Sequence, residues 1–280
     1  MTYIKITRNY YINNFEKKVI KEIIKNVKKK DIYNNYKYMY HTQKYSLKQI
    51  ITFILIKIKY SLTWAGLGKH RSNIHKHFLR FCKYDIFTDT YEDLLQKYII
   101  NNKSKYVYAD TTAIINKGGI NKIKKNRYYY GKNCNKINLC IDDKKVPIDI
   151  DFYEGNVYDS KILHLKLKQN NELIKKLKNI KCKAFIADAG YCSIKNRKIL
   201  EKHKITPIIK YNIRGIKKEE NKKHLTKDEL KKYKNRIKVE HVFGNLKQKS
   251  ILNVRNDKFF ISYTNQVIMY FLLRIIQYIK

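Results

Sequence analysis

Apolar residues recur at helical spacing through the first hundred positions. Ser46 offers a hydroxyl suited to a helix N-cap, and Leu47, Ile50, Ile51, Ile54, Leu55 and Ile58 follow as one apolar face. Gly66 and Gly68 break that pattern. A basic helix is predicted over about Ser72 to Cys82 and a third near Thr90 to Ile99, while residues 1–40 are Lys- and Asn-rich with looser helical spacing. After Asn101 the pattern shifts to β-forming runs: Tyr106 to Thr112, Tyr128 to Ile141 and Val146 to Tyr153 read as strands, with Asp142-Asp143-Lys144-Lys145 as a hairpin turn. Asp159 or Ser160 then caps a helix through Ile162, Leu163 and Leu167. Ala184 to Asp188 is a short buried strand ended by Gly190, followed by a helix near Ser193 to Lys202 and a strand at Thr206 to Lys210. Lys217 to Lys232 is a charged loop plus helix, and two helices over about Lys234 to Lys249 and Ser262 to Tyr278 finish the chain. The pattern divides the chain into a helical region, 1–100, and an α/β domain, 101–280.

Composition adds a partner class. The 280 residues carry a formal net charge of +39, a field that favours polyanions. Only nine of the 62 basic residues are Arg, and the wealth of Lys, Asn, Ile and Tyr is that of AT-rich coding sequence, so codon bias accounts for part of the charge. At 44% hydrophobic the chain has material for a real core. Its five cysteines include no CxxC pair, which argues against a disulfide framework and a thiolate zinc site. The N-terminus lacks a secretory pattern, and the most apolar stretch, Val267 to Ile276, is broken by Arg274 and falls short of the roughly 20 residues a membrane span needs. These features predict a soluble intracellular protein, off the membrane, located where host or viral DNA is: cytoplasm and nucleoid, or nucleus.

Three carboxylates stand out. Asp110 interrupts a strand of Val, Tyr and Ala, where a charge is costly unless solvated, paired or metal-bound. Asp188 ends the Phe185-Ile186-Ala187 strand, and the carboxyl ends of strands are where α/β sheets gather ligands. Two such aspartates on neighbouring strands would repel, and metal ions relieve that repulsion. At about 100° per residue, Tyr233, Arg236, Glu240, Phe243 and Lys247 fall within an arc of roughly 80°, beside an apolar stripe of Val239, Val242 and Leu246. That places Glu240 at the edge of a buried face, flanked by cations suited to a phosphodiester. Ordinary i,i+4 pairing of Arg236 with Glu240 is the structural alternative.

The motif Tyr233-x2-Arg236-x3-Glu240-x6-Lys247 resembles the YREK signature of DDE transposases of bacterial insertion sequences. Val239 to Gln248 resembles the last motif of the compact branch of that superfamily. Ala187-Asp188-Ala189-Gly190-Tyr191-Cys192-Ser193 resembles its second, and Tyr108-Ala109-Asp110-Thr111-Thr112 its first. Asn156-Val157-Tyr158-Asp159-Ser160 matches a recurring H/Y-D-S element between them, and Trp64 with its basic helix resembles the N-terminal region of the same proteins. Ala189 stands where Lys or Arg is frequent, and no long β-rich insertion fits before Glu240. The resemblance implies an RNase H-like catalytic domain, a mixed sheet with flanking helices. It implies metal-dependent cleavage and strand transfer at transposon ends, with Asp110, Asp188 and Glu240 as catalytic metal ligands. Two Mg²⁺ ions are the implied cofactors, with Mn²⁺ a workable substitute. Tyr233, Arg236 and Lys247 would grip DNA. The partners implied are transposon-end and target duplexes, and a second copy of the chain in the DNA-bound state. A catalytically silent DNA-binding descendant and a nuclease that cuts without joining are the alternatives.

Base readout is assigned to the helix near Ser72 to Cys82, which with its flanks carries Lys69, Arg71, His75, Lys76, His77, Arg80 and Lys83; Arg71 and Arg80 are the candidate DNA contacts. His75, His77 and Cys82 match no standard zinc spacing. His241 points away from Glu240 on its helix. Asp142, Asp143, Asp149 and Asp151 read as turn and solvent-face residues, with Asp149 and Asp151 sharing one strand face as possible competitors for metal. Most of the tyrosines are assigned to core and interface packing rather than base stacking.

Overall fold

A computed structural model describes residues 13–32, 45–115, 125–126, 132–168, 171–213, 223–249 and 260–279. The readings made for residues 1–12, 33–40, 128–131 and 217–222 lie outside these. The chain forms two compact units, Met1–Tyr98 with Leu246–Lys280, and Ile99–Asn245.

The first unit is helical: α1 (Asn14–Lys29), α2 (Leu47–Lys59), α3 (Arg71–Lys83), most of α4 (Ile86–Asn101) and α10 (Phe260–Ile275). α1 and α2 both open with a capping box, Asn13 with Glu16 and Ser46 with Gln49, which satisfies first-turn amides that the helix itself cannot bond. Gly68 has φ of 60° in the turn before α3, a conformation that suits glycine. Asn26 of α1 donates to Thr90 and Asp93 of α4, each at 3.1 Å, so the two helices are joined by polar bonds as well as apolar packing. Trp64 packs its ring on His75 and Phe78, 4.5 and 4.9 Å between centroids. The last long helix belongs here as well: α10 packs against α1, α2 and α3 and buries Val267, Met269, Phe271, Leu272 and Ile275 completely.

The second unit is an α/β domain. Its strands are β1 (Tyr106–Ile115), the two-residue β2 (Lys125–Asn126), β3 (Lys132–Ile141), β4 (Pro147–Glu154), β5 (Ala184–Ala187) and β6 (Thr206–Ile209). β4 and β1 flank β3 antiparallel, and β5 and β6 extend the sheet from β1 in parallel. The helices are α5 (Asp159–Lys168), α6 (Glu172–Asn179), α7 (Ile194–Lys202), α8 (Lys227–Tyr233) and the larger part of α9 (Ile237–Gln248). α6 was not anticipated from the pattern. The mixed sheet flanked by helices, preceded by helices, is the RNase H-like arrangement. The hairpin turn is where the pattern placed it: Asp142 Oδ1 accepts from the amides of Lys144 and Val146, both at 2.9 Å, and Lys145 takes a positive φ. Asp142 is nonetheless buried, because it serves the turn backbone rather than solvent.

Candidate active site at the β1 and β5 strand ends

Parallel pairing brings the first two acids level. Tyr108 pairs with Ile186 and Ala109 with Ala187, so Asp110 and Asp188 occupy the next rung of adjacent strands, about 5 Å apart in backbone. Side chains alternate along a strand, which puts Tyr108, Asp110 and Thr112 on one face of β1. Arg236 donates from Nη1 to Asp110 Oδ2 at 2.8 Å and from Nη2 to Glu240 Oε1 at 2.5 Å. One guanidinium therefore links the first acid to the third. Just beyond it, Lys238 reaches Asp143 Oδ1 at 2.8 Å and lies 5.1 Å from the Tyr108 ring, so the start of α9 lies over this face.

Asp143 is a pin for that arrangement rather than a solvent-face residue. It accepts from Tyr108 Oη, Ser104 Oγ and Lys238 Nζ. Burial alone would raise its carboxyl, but these hydrogen bonds outweigh it and hold the group below the usual carboxylate range. Asp110 behaves oppositely. Burial pushes it up to about 6, opposed by Arg236 and reinforced by the charge of Asp188. Asp188 is fixed by its own turn, its Oδ1 accepting from the Gly190 amide at 2.8 Å.

The segment carrying the Tyr-Arg-Glu motif is not one α-helix. α8 ends at Tyr233, a 3₁₀ turn covers Lys234–Arg236, and α9 begins at Ile237. The tighter turn eclipses positions i and i+3, and Arg236 Cζ duly lies 5.8 Å from the Tyr233 ring centroid. Val239, Val242, Phe243 and Leu246 bury the apolar stripe, while the Glu240 side chain stays 49% exposed. Lys247 is exposed on the last turn of α9. His241 points away from Glu240, to Lys145 Nζ at 3.3 Å. Lys210 was not singled out from the sequence: its Nζ lies 4.8 Å from the Tyr233 ring centroid. A cation immediately after the apolar strand Thr206–Ile209 was the available signal.

Asp149 and Asp151 are a correction. β4 pairs Asp151 with Asn138 and Asp149 with Cys140, and these oppose Thr111 and Ala109 on β1. Both acids therefore lie on the face opposite Asp110 and are no competitors for a cation there. They are not solvent-face residues either: Lys166 of α5 bonds both, at 3.1 and 2.9 Å, and Lys176 approaches Asp149 at 3.7 Å. Burial and the neighbouring Asp149 charge push the Asp151 carboxyl up to about 8. A carboxyl raised in the folded state stabilises fully below its unfolded pKa, near 3.9, and this contribution is lost as pH climbs through the folded value. Asp151→Asn is accordingly expected to flatten a fall in melting temperature between about pH 4 and 8, measured by calorimetry against the parent chain; parallel curves would refute the assignment.

On α3, Lys69, Arg71, Lys76 and Lys83 are exposed at and around the helix, whereas His77 and one Arg80 nitrogen are buried. Burial, and then the charge of Arg80, lower His77 to about 4, so it adds no positive charge at neutral pH.

A mixed sheet of this order, flanked by helices, with Asp110 and Asp188 at adjacent strand ends, fits the RNase H-like class of domains. The chain belongs to the transposase DDE domain family, whose sequence model matches residues 104–265, more than half of its length. Membership implies a nucleotidyl-transfer enzyme of DNA transposition that acts on DNA, in a family that generally uses divalent metal ions. No curated protein and no solved structure matches the chain. Among the described residues no helix is long and apolar enough to cross a membrane, and no three His, Cys, Asp or Glu side chains meet as a ready-made metal cluster.

Proposed function

We propose that this protein cuts DNA at the ends of a mobile element and joins the released ends to target DNA, with Asp110, Asp188 and Glu240 as its metal-binding acids. The observation that carries the reading is the single Arg236 guanidinium spanning Asp110 and Glu240 while Asp188 lies level with Asp110. The donor set fits Mg²⁺, which prefers carboxylate oxygens. Burial is the main cause of the raised Asp110 carboxyl, and the Asp188 charge adds to it, a contribution that a bound cation would offset.

Two bound Mg²⁺ ions would supply activation of the attacking hydroxyl and stabilisation of the departing 3′-oxygen. The protein's own part is to hold the three acids in place and to orient the backbone. Arg236 has a fork matched to carboxylate or phosphate, so it is able both to hold Glu240 and to contact a phosphodiester. Tyr233, Lys210 and Lys247 add an aromatic face and two further cations for the same strand. The exposed cations around α3, Arg71 among them, would supply end recognition, since phosphate contacts alone position DNA without specifying it. A second copy of the chain would be recruited in the DNA-bound state to handle the paired ends.

The test uses the full-length protein with Mg²⁺ and a duplex carrying the terminal repeats that flank its gene. Nicks bearing 3′-hydroxyls and joined products are expected, and Mn²⁺ should replace Mg²⁺. Nicks without joining would reduce the activity to a nuclease, and binding without either would overturn the enzyme reading. Arg236→Ala and Lys247→Ala should each weaken end binding and lower the slope of log affinity against log salt by about one. Arg236→Ala should lose more cleavage, because it also releases Glu240. Unchanged slopes would remove these residues from the DNA contact.

A further inference from the structure

The Tyr158-Asp159-Ser160 element has no part in the function as described so far, yet it lies against the second acid. A β-carbon placed on Gly190 would fall 3.0 Å from Asp159 Oδ2 and equally 3.0 Å from Asp188 Oδ1. The two carboxylate oxygens are therefore no more than about 6 Å apart, both close against Gly190, where a side chain would press on them unless they gave way. We propose that Asp159 is a positioning residue for Asp188, acting across Gly190 to fix the place of its carboxylate and to deepen the negative potential around it.

The surroundings of Asp159 are built to hold it still. Lys136 of β3 donates to Asp159 Oδ1 at 2.8 Å and to the Val157 carbonyl at 2.9 Å, and this ion pair is largely shielded from solvent. Asp159 is also the first residue of α5, where the helix dipole favours a carboxylate. Asn196 of α7 ties the two turns together: its Nδ2 donates to the Ser160 carbonyl at 2.9 Å and to the Tyr191 carbonyl at 3.4 Å. Tyr191 is buried and donates to Asn138 Oδ1 at 2.7 Å, anchoring the residue after Gly190 to β3. The Asp188 turn is thus held at Tyr191 by two bonds, one from Asn196 and one to Asn138. Its carboxylate accepts from the Gly190 N–H of its own turn, with the Asp159 carboxylate as a like charge nearby. Like charge held nearby costs stability unless a cation is to be bound; Lys136 offsets part of that cost through its ion pair with Asp159.

This inference rests on Asp188 being a metal ligand, so the test begins there. Mn²⁺ is titrated into the full-length protein without DNA, and the free ion is followed by electron paramagnetic resonance at fixed pH. Asp188→Asn is expected to remove most of the binding. Asp159→Asn keeps the size and the hydrogen bond to Lys136 but loses the charge. It is expected to raise the Kd for Mn²⁺ about three- to tenfold, with helix content unchanged by circular dichroism, as a unit charge at this range acting on a divalent ion would do. Gly190→Ala removes no charge and should raise the Kd by a similar factor, by forcing the two carboxylates apart. A structural role alone would lower the melting temperature of Asp159→Asn without moving its Kd, and that result overturns the proposal. Should Asp159→Asn fail to fold, Gly190→Ala binding with parental affinity overturns it instead. If Asp188→Asn itself binds Mn²⁺ normally, the assignment of the metal-binding acids fails, and this inference with it.

Discussion

Asp110→Asn, Asp188→Asn and Glu240→Gln are each expected to lower Mg²⁺-dependent cleavage of end-sequence DNA by at least about 10³-fold, because the charge stabilisation that bound metal gives a transferring phosphoryl group amounts to several kcal/mol and each 1.36 kcal/mol is a factor of ten. DNA binding should stay within a few-fold, since these acids repel phosphate and their loss removes no cation. The substitutions preserve shape, so the Arg236 bridge from Asp110 to Glu240 loses charge rather than geometry. Cleavage is read on labelled duplex and binding by anisotropy, on the same preparations. Asp151→Asn is the matched control: it removes a carboxylate from the opposite face of the sheet and should cut normally. Any of the three variants that cuts at the parental rate is not a metal-binding acid, and a slow Asp151→Asn would move the site to the wrong face.

The second large effect concerns folding. A fragment of residues 1–100 is expected to lack a cooperative thermal transition, although its described residues include α1 to α3 and nearly all of α4. α10 supplies five fully buried apolar side chains, Val267, Met269, Phe271, Leu272 and Ile275, to the unit formed with α1 to α4. At about 1.5–3 kcal/mol for each such side chain, their loss rivals the 5–15 kcal/mol by which a whole domain is stable. Lys57, buried in the core, would also lose its bond to Gln266 of α10. Far-UV circular dichroism against temperature reads the outcome. A sharp, two-state transition in the isolated fragment would show that α10 is dispensable. Any assay of sequence recognition by the helical region therefore needs the C-terminal helix present.

Much of this protein was legible along the chain. Local rules act between residues three or four apart, or alternate by two, so α2 with its Ser46 cap, the hairpin at Asp142–Lys145 and strands β1, β4, β5 and β6 appeared close to where the pattern put them. Asp110 and Asp188 stood out for a related reason: a lone carboxylate in or at the end of an apolar strand is expensive, and its presence asks for an explanation. What the pattern could not decide depends on groups far apart in sequence. It took strand pairing to set Asp149 and Asp151 on the face away from Asp110, since the register with β3 fixes which parity faces which helix. Arg236 lies four residues from Glu240 and was legible as its partner, yet its bond to Asp110 exists only because the fold brings the turn before α9 to β1. α10 reads as a continuation of the α/β domain and packs with the N-terminal helices, because an apolar helix records that it must be buried and not against what. Asp159 carried a motif but no visible partner until the fold brought its carboxylate to Gly190. Periodicity is a property of neighbours along the chain, whereas charge pairing, burial partners and the facing of a sheet are properties of distance in space, and those were fixed when the chain closed on itself.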